Sequence, residues 1–259
     1  MKSDMRAYFS NRLIRCVQGD MVEYMDTPHL SIIVPVLNEQ AIIGRTVDHL
    51  LAAGKDVPAE IIIVDGDPTG STIREIRLQY GKDQETVKTI VGPKGRGPQM
   101  NAGASAAAGR VLLFVHADTR LPERGCQLVL DTLRRPDIAA GAFSLGIENG
   151  RRIYRLIETW ANIRSAVLKI PYGDQAIFIK KRVFEDIGGY AGIPLMEDID
   201  IMRRLKKGGF KTALIREAVY TSARRWENQG VIYGIIRNNL LSWLFYAGVN
   251  PSVLKQFYR

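Results

Sequence analysis

Val111-Leu-Leu-Phe-Val-His-Ala-Asp-Thr119 decides how the rest of the chain is read. Five apolar residues, branched or aromatic, break off at His116, Asp118 and Thr119. A short uninterrupted apolar run of this kind reads as a strand covered on both faces, the habit of parallel sheets. In open α/β sheets the ligand lies beyond the carboxyl ends of the strands. An imidazole and a carboxylate delivered there can hold a divalent cation, and the cation can neutralise a diphosphate. Taken alone, the plainer reading is that Asp118 and Thr119 cap a turn and the helix expected from Leu121-Pro122.

Outward from this run, Leu30–Val36, Glu60–Asp65 and the short Thr86–Val91 also read as strands. Helices are expected between them over Glu39–Ala53, closed by Gly54, over Thr72–Tyr80, and over Gln99–Ala108, closed by Gly109. Strand and helix alternating at this spacing form βαβ units, and hence a doubly wound, mostly parallel sheet. After Pro136 the regularity gives way. Strands are expected at Ile138–Ile147, Gln175–Lys180 and Lys211–Tyr220, with a long helix over Arg151–Lys169 and short ones near Val183–Ile187 and after Met196. The predicted class is α/β. Residues 1–28 form an arm with one short helix around Arg6–Val17, residues 29–225 form the folded unit, and residues 226–259 form a helical tail. No linker divides the regular half, 29–120, from the mixed half, 121–225.

Of the 259 residues, 46% are hydrophobic and 24% charged, ordinary values that allow a full core. The net charge of +9 favours anionic partners, whether nucleotide phosphates, acidic lipid head groups or nucleic acid. Nucleic acid is disfavoured, because the aromatics do not interleave with the basic residues as a stacking platform would. Cys16 and Cys126 have neither disulfide nor zinc spacing, in keeping with a reducing, cytoplasmic setting. Charges interrupt Met1–Asp26 too often for a signal peptide, and Asn238–Leu254 is too short and polar to span a bilayer. In the helix over Arg151–Lys169, Ile153, Leu156, Ile157, Trp160, Ile163 and Val167 form a stripe that reads as its core-packed face. Arg151, Arg152, Arg155 and Arg164 then occupy the solvated side; the alternative is a basic amphipathic helix lying in a lipid interface.

Three strand ends converge on one crevice and bring Asn38 and Glu39, Asp65 and Gly66, and His116 and Asp118. The first turn, Pro35-Val-Leu-Asn-Glu39, has no glycine, which excludes the dinucleotide-binding Gly-x-Gly-x-x-Gly; no Walker-type loop occurs either. The loop Gly92–Gly97 carries Lys94 and Arg96 into a helix start, a cradle for an anion or an ordinary solvated connection. Glu197 and Asp198 stand where a helix begins, which the helix dipole favours on its own. The same field keeps a carboxylate ionised and able to take a proton from a hydroxyl. No Ser-His or Cys-His nucleophile is evident.

Ser31-Ile-Ile-Val-Pro-Val-Leu-Asn-Glu39, Val64-Asp-Gly66, His116-Ala-Asp118 and Glu197-Asp198 together resemble the glycosyltransferases of family 2, with their GT-A-type fold. Gly95-Arg-Gly-Pro-Gln-Met-Asn-Ala-Gly103, Leu113–Pro122, Gly173-Asp-Gln-Ala-Ile-Phe178, Pro194–Ile199 and Arg224-Arg-Trp226 are similar to a bacterial subgroup, the "transferase 2" proteins associated with radical-SAM and selenodomain proteins. The resemblance implies a Rossmann-like nucleotide-binding half over 29–120 and a mixed acceptor half over 121–225. It implies transfer of a sugar from a nucleotide-sugar donor to a hydroxyl acceptor, with inversion at the anomeric carbon and a Mg²⁺ or Mn²⁺ cofactor. Asp198 would be the catalytic base and Asp118 the metal ligand, with His116 where relatives carry the first Asp of an Asp-x-Asp motif. Pro35, Asn38, Glu39 and Asp65 would bind the nucleoside; Lys94, Arg96, Gln99 and Asn101 would also bind substrate. Asp174, Gln175, Glu197, Arg225 and Trp226 would line the acceptor and leaving-group side. Two other readings stand beside it: nucleotidyl or phosphosugar transfer on the same fold, with Asp198 structural, and a basic protein that binds a membrane surface without catalysis. Peripheral contact with the inner face of a membrane is compatible with all three.

Overall fold

The computed structural model describes residues 29–81 and 86–258, so the arm and its expected helix lie outside the described residues. Four apolar runs supply β1 (Leu30–Val36), β2 (Ala59–Asp65), β3 (Val87–Val91) and β4 (Val111–Phe114), all paired parallel in the order β3-β2-β1-β4. Successive side chains of a strand point to opposite faces. In β1, Ile32 and Val34 therefore join the cluster containing Ile43, Val47 and Leu50 of helix α1 (Gln40–Gly54). Ile33, between them, joins Met100 and Ala104 of helix α3 (Arg96–Ala106) on the other face. Helix α2 (Ser71–Tyr80) packs beside α1 through Ile76. Each such branched side chain, fully withdrawn from water, contributes roughly 1.5–3 kcal/mol. The double covering explains why β1, β2 and β4 are apolar along most of their length rather than alternating, whereas β3, at the edge, carries Lys88 and Thr89.

The sheet then changes character. β4 pairs antiparallel with β7 (Phe178–Lys180), which pairs antiparallel with β6 (Ile138–Glu148). β6 runs parallel to β8 (Lys211–Ser222), and the two-residue β5 (Thr119–Arg120) closes that edge antiparallel to β8. Among the described residues, eight strands form one sheet in the order β3-β2-β1-β4-β7-β6-β8-β5. Between β1 and β4 the chain reverses its direction of growth, the switch point at which open sheets leave a crevice. Helices α4 (Gly125–Leu133), α5 (Arg152–Leu168), α6 (Lys181–Asp186), α7 (Glu197–Lys207), α8 (Arg224–Gln229), α9 (Val231–Tyr246) and α10 (Pro251–Gln256) complete the described chain.

Several local expectations are corrected. Asp118 and Thr119 cap no helix: Thr119 pairs with Thr221 in β5, and α4 starts only after Arg124, without a side-chain cap. Gly109 does not close α3, which ends at Ala106; the Gly109 amide instead donates to Ser31 Oγ at 2.9 Å. Gln175 lies in a single 3₁₀ turn, Gly173–Gln175, ahead of a shorter strand. The stripe on α5 is not its core-packed face. Ile157 is buried, but Leu156, Trp160, Ile163 and Val167 are all more than half exposed. The reason is a free stretch of sheet edge. β6 pairs with β7 only at Ala140 and Gly141, so the outer backbone at Leu145 and Ile147 needs other partners. Asn162 supplies both bonds to Leu145, and Glu158 accepts from the Ile147 amide at 2.6 Å. Glu158 and Asn162 are thereby drawn inward beside the buried Tyr154, Ile157 and Ala161, which leaves the apolar stripe outside. Among the described residues no helix is long and apolar enough to cross a membrane.

Candidate active site

At the end of β1, Pro35 is half-buried and Asn38 is exposed with φ of 59°, a left-handed conformation that asparagine tolerates. Glu39 follows, half-buried, its amide donating to Thr72 Oγ1 at 3.2 Å. At the end of β2, Asp65 is fully buried. Its Oδ2 accepts from the Thr72 and Ile73 amides at 3.0 and 3.3 Å, and its Oδ1 from the Asp67 amide at 3.0 Å. Asp65 therefore seats the start of α2 and shapes the wall beside Glu39 from beneath. Gln99, also buried, donates through one amide nitrogen to the carbonyls of Val36 and Val64 at 2.7 and 2.8 Å, and so clamps the ends of β1 and β2 together.

Past β4, His116 and Asp118 are both half-buried in the turn closed by the Thr119 amide donating to His116 O at 3.0 Å. Asp198, in the first turn of α7, comes to the same place from the opposite side. Its Oδ2 accepts from the Gly173 amide at 2.7 Å, and its Oδ1 from the Ile199 amide at 2.8 Å. A β-carbon built on Gly173 would stand 3.2 Å from His116 Nε2 and 3.4 Å from Asp198 Oδ2. The imidazole from β4 and the carboxylate from α7 thus meet over a residue that has no side chain. Asp174, next in the 3₁₀ turn, is half-buried.

Arg96, at the start of α3, lies among the acidic groups of both halves. Burial acts against its charge, but Glu197, Tyr258, Asp198 and Asp118 together hold the guanidinium above its usual range. Glu197, beside it, is 6% exposed. Burial first and the Asp198 charge second raise its carboxyl to about 7, against the opposing pull of Arg96. Burial, with the same two carboxylates, also raises the Tyr190 hydroxyl well above its ordinary value. Lys94 is exposed, so the two basic residues of the glycine-rich loop divide: one faces water and one enters the acidic cluster.

Two more expected substrate contacts are, like Asp65 and Gln99, engaged in structural hydrogen bonds. Asn101 forms a reciprocal pair with the Tyr190 backbone, donating to its carbonyl and accepting from its amide, both at 2.8 Å. Gln175 is fully buried; its Oε1 accepts from Ser165 Oγ and the Tyr172 amide, and its Nε2 donates to Phe143 O. Both side chains hold the loops that carry Gly173 and Tyr190. They were expected to touch substrate because they lie in two of the motifs, Gly95–Gly103 and Gly173–Phe178, that carry the resemblance. Arg224 is exposed, and the side chains of Arg225 and Trp226 lie outside the described residues. The residues sequence reasoning missed are Gly173, as a spacer and amide donor, and Tyr190. Gly173 sits inside a motif already singled out; Tyr190 follows Gly188-Gly189 with no signal of its own.

Among the described residues no three His, Cys, Asp or Glu side chains form a ready metal cage. A magnesium-like ion is commonly held by only one or two carboxylates, with phosphate oxygens and water completing its shell. A half-buried Asp118 beside His116, in a crevice that also holds Arg96, fits a cation that arrives with a diphosphate.

A family model described as glycosyl transferase family 2 matches residues 31–195. Dodecaprenyl-phosphate galacturonate synthase of Rhizobium johnstonii is 26% identical over 113 residues, 42% of this chain and 33% of that protein. Dolichyl-phosphate beta-glucosyltransferase of Drosophila melanogaster is 29% identical over 132 residues, 46% of this chain and 40% of that protein. The matched stretch thus spans less than half the length of either curated relative. Among solved structures, the mannosyltransferase PcManGT from Pyrobaculum calidifontis, in complex with GDP-Man and Mn2+, aligns with a TM-score of 0.59 at 19% identity, over 76% of this chain and 56% of that one. S. aureus TarS 1–349 aligns with a TM-score of 0.55 at 16% identity, over 88% of this chain and 68% of that one. At these identities the two structures speak for the fold, a mixed α/β sheet of the GT-A type.

Proposed function

The chain belongs to glycosyl transferase family 2, and on that premise we propose that it is an inverting glycosyltransferase that moves a sugar from a nucleotide-diphosphate donor to a hydroxyl. The observation that carries the reading is the meeting of His116 and Asp198 over Gly173, with Arg96 among Asp118, Glu197 and Asp198. Residues 29–120 would hold the donor and residues 121–225 the acceptor. The narrower placement among the "transferase 2" proteins rests on the order of the motifs alone.

Glu39, Asn38 and Pro35 would receive the nucleoside at the open end of β1, on a wall kept in shape by Asp65 and Gln99. Arg96 would face the diphosphate, and Asp118, with His116 beside it, would hold Mg²⁺ or Mn²⁺ against the same group. When bound, the ion would neutralise charge that builds on the departing diphosphate. Charge stabilisation of this kind accelerates the reaction because it is stronger in the transition state than in the ground state. Asp198 Oδ2, fixed by the Gly173 amide, would take the acceptor proton as the oxygen bonds to the anomeric carbon. Glu197, neutral on the acid side of about 7, spares Asp198 a second adjacent charge. A single displacement with base and leaving group on opposite sides inverts the anomeric carbon. The excess of positive charge suits a protein peripheral to the inner face of a membrane, in the cytoplasm.

A second reading of the acceptor is favoured by the names of the two curated relatives, which both contain a polyprenyl phosphate. If the acceptor oxygen belonged to a phosphate, it would already be ionised and would need no base. The first test is a thermal-shift screen of nucleoside diphosphates and their sugars with and without Mn²⁺. A donor at a hundred times its Kd adds about 2.7 kcal/mol to stability. No shift with any nucleotide would remove the reading.

A further inference from the structure

Helix α5 buries Tyr154, Ile157, Ala161 and Ser165 and carries a second apolar stripe on its outer side. Its polar side chains Glu158 and Asn162 bond to the β6 backbone, while Leu156, Trp160, Ile163 and Val167 are 66%, 59%, 53% and 71% exposed. Their spacing of four, three and four residues makes one outward stripe. Helix α9 repeats the arrangement with Tyr233, Ile236, Leu240 and Trp243, each at least 55% exposed. The two helices share a seam. At one end Ile153 and Ile157 pack in the same cluster as Val231 and Ile235. At the other, Tyr172 joins them, its ring 3.3 Å from the Arg164 guanidinium and its hydroxyl donating to Ser242 Oγ at 2.9 Å. Exposed apolar stripes on two adjoining helices, beyond scattered single residues, mark a partner.

The charges around the stripes choose the partner. Arg152 is exposed and, by helical position, on the same face as Leu156 and Ile163; Arg151 and Lys169 are exposed at the helix ends. The acid of α5, Glu158, is turned inward, and α9 has none. A second copy of the chain would bring like charges together across a two-fold axis. An anionic bilayer complements both components at once: apolar and indole groups enter the head-group boundary while guanidinium and ammonium groups meet lipid phosphates. We propose that α5 and α9 together form a docking surface for an anionic lipid bilayer, with Trp160 and Trp243 as its interfacial anchors. The seam leads through Tyr172 directly to Gly173, so the docked face adjoins the Asp198 side of the candidate site.

The test is co-sedimentation of the full chain with phosphatidylcholine vesicles, with and without phosphatidylglycerol. The wild type pellets with the anionic vesicles, and less so as salt is raised. Trp160→Ser combined with Trp243→Ser lowers vesicle affinity at least about tenfold without altering the melting temperature, since both side chains lie outside the core. Arg152→Glu weakens binding several-fold for anionic vesicles alone. The proposal is overturned if the wild type stays in the supernatant, or if the double tryptophan variant pellets as the wild type does. It is also overturned if sedimentation velocity shows a wild-type dimer that the double variant abolishes while vesicles bind neither.

Discussion

The Gly173 amide donates a 2.7 Å hydrogen bond to Asp198 Oδ2, joining the 3₁₀ turn after α5 to the first turn of α7. One carboxylate oxygen is thereby fixed in direction beside His116 Nε2, and there is no room above it for a side chain. Gly173→Ala would place a methyl 3.2 Å from the imidazole and 3.4 Å from the carboxylate. Those neighbours must give by a few tenths of an ångström, which the fold can absorb and a reacting geometry cannot. We expect kcat to fall by about tenfold to a hundredfold, with a melting temperature close to that of the wild type. Circular dichroism melts and turnover measured on the same sample check this.

Glu197 gives the protein a stability profile with a recognisable slope. Unfolded, its carboxyl ionises near 4.5; folded, burial first and Asp198 second keep the proton on up to about 7. Between those values the folded state holds a proton the unfolded state has released, so this group makes stability fall as pH rises through the window. Glu197→Gln removes the slope, so the variant gains stability relative to the wild type as pH rises through the window. Urea denaturation at pH 5 and pH 8 measures both effects.

Asn101 and Gln175 hold loops, and their loss should register in stability. Asn101→Ala leaves both the amide and the carbonyl of Tyr190 without their partner. We expect a loss of about 1–3 kcal/mol with donor Kd unchanged, measurable by calorimetry beside denaturant melts. A large rise in donor Kd with normal stability would return Asn101 to the substrate.

Much of the fold was legible because it depends on one physical feature, strands covered on both faces. The runs at Leu30, Glu60 and Val111 read as strands covered on both faces, and Gly54 marked the end of α1, whereas Gly109 did not mark that of α3. The site's strand-end residues followed from the same rule. Three things escaped. The brief β5 carries no periodic signal, being two residues long. The outward stripe of α5 was hidden because Tyr154, Ile157 and Ala161 make a second apolar face that periodicity alone does not rank against it; the edge of β6, bonded by Glu158 and Asn162, decides which turns inward. The contribution of Asp65, Gln99 and Gln175 from beneath the crevice depended in part on bonds to residues as far as 63 positions away, which no local pattern encodes.

Asp118 should govern donor affinity and metal response together. Asp118→Asn keeps the shape of the side chain but removes its charge. We expect the Kd of a nucleoside diphosphate with Mn²⁺ to rise by about tenfold to a hundredfold, and the wild-type binding enhancement by Mn²⁺ to disappear. In the wild type, a chelator should return the Kd to its metal-free value. Isothermal titration with and without the chelator distinguishes these cases.

Asp198 is the group proposed to remove the acceptor's proton, and Asp198→Asn tests that role most directly. Donor binding and transfer should be measured side by side, once the screen has named a donor. We predict a donor Kd within about threefold of the wild type and a kcat lower by about a hundredfold to ten-thousandfold. Undiminished transfer by Asp198→Asn, with the donor bound as tightly as before, would contradict the account and point to an acceptor oxygen that is ionised before it arrives.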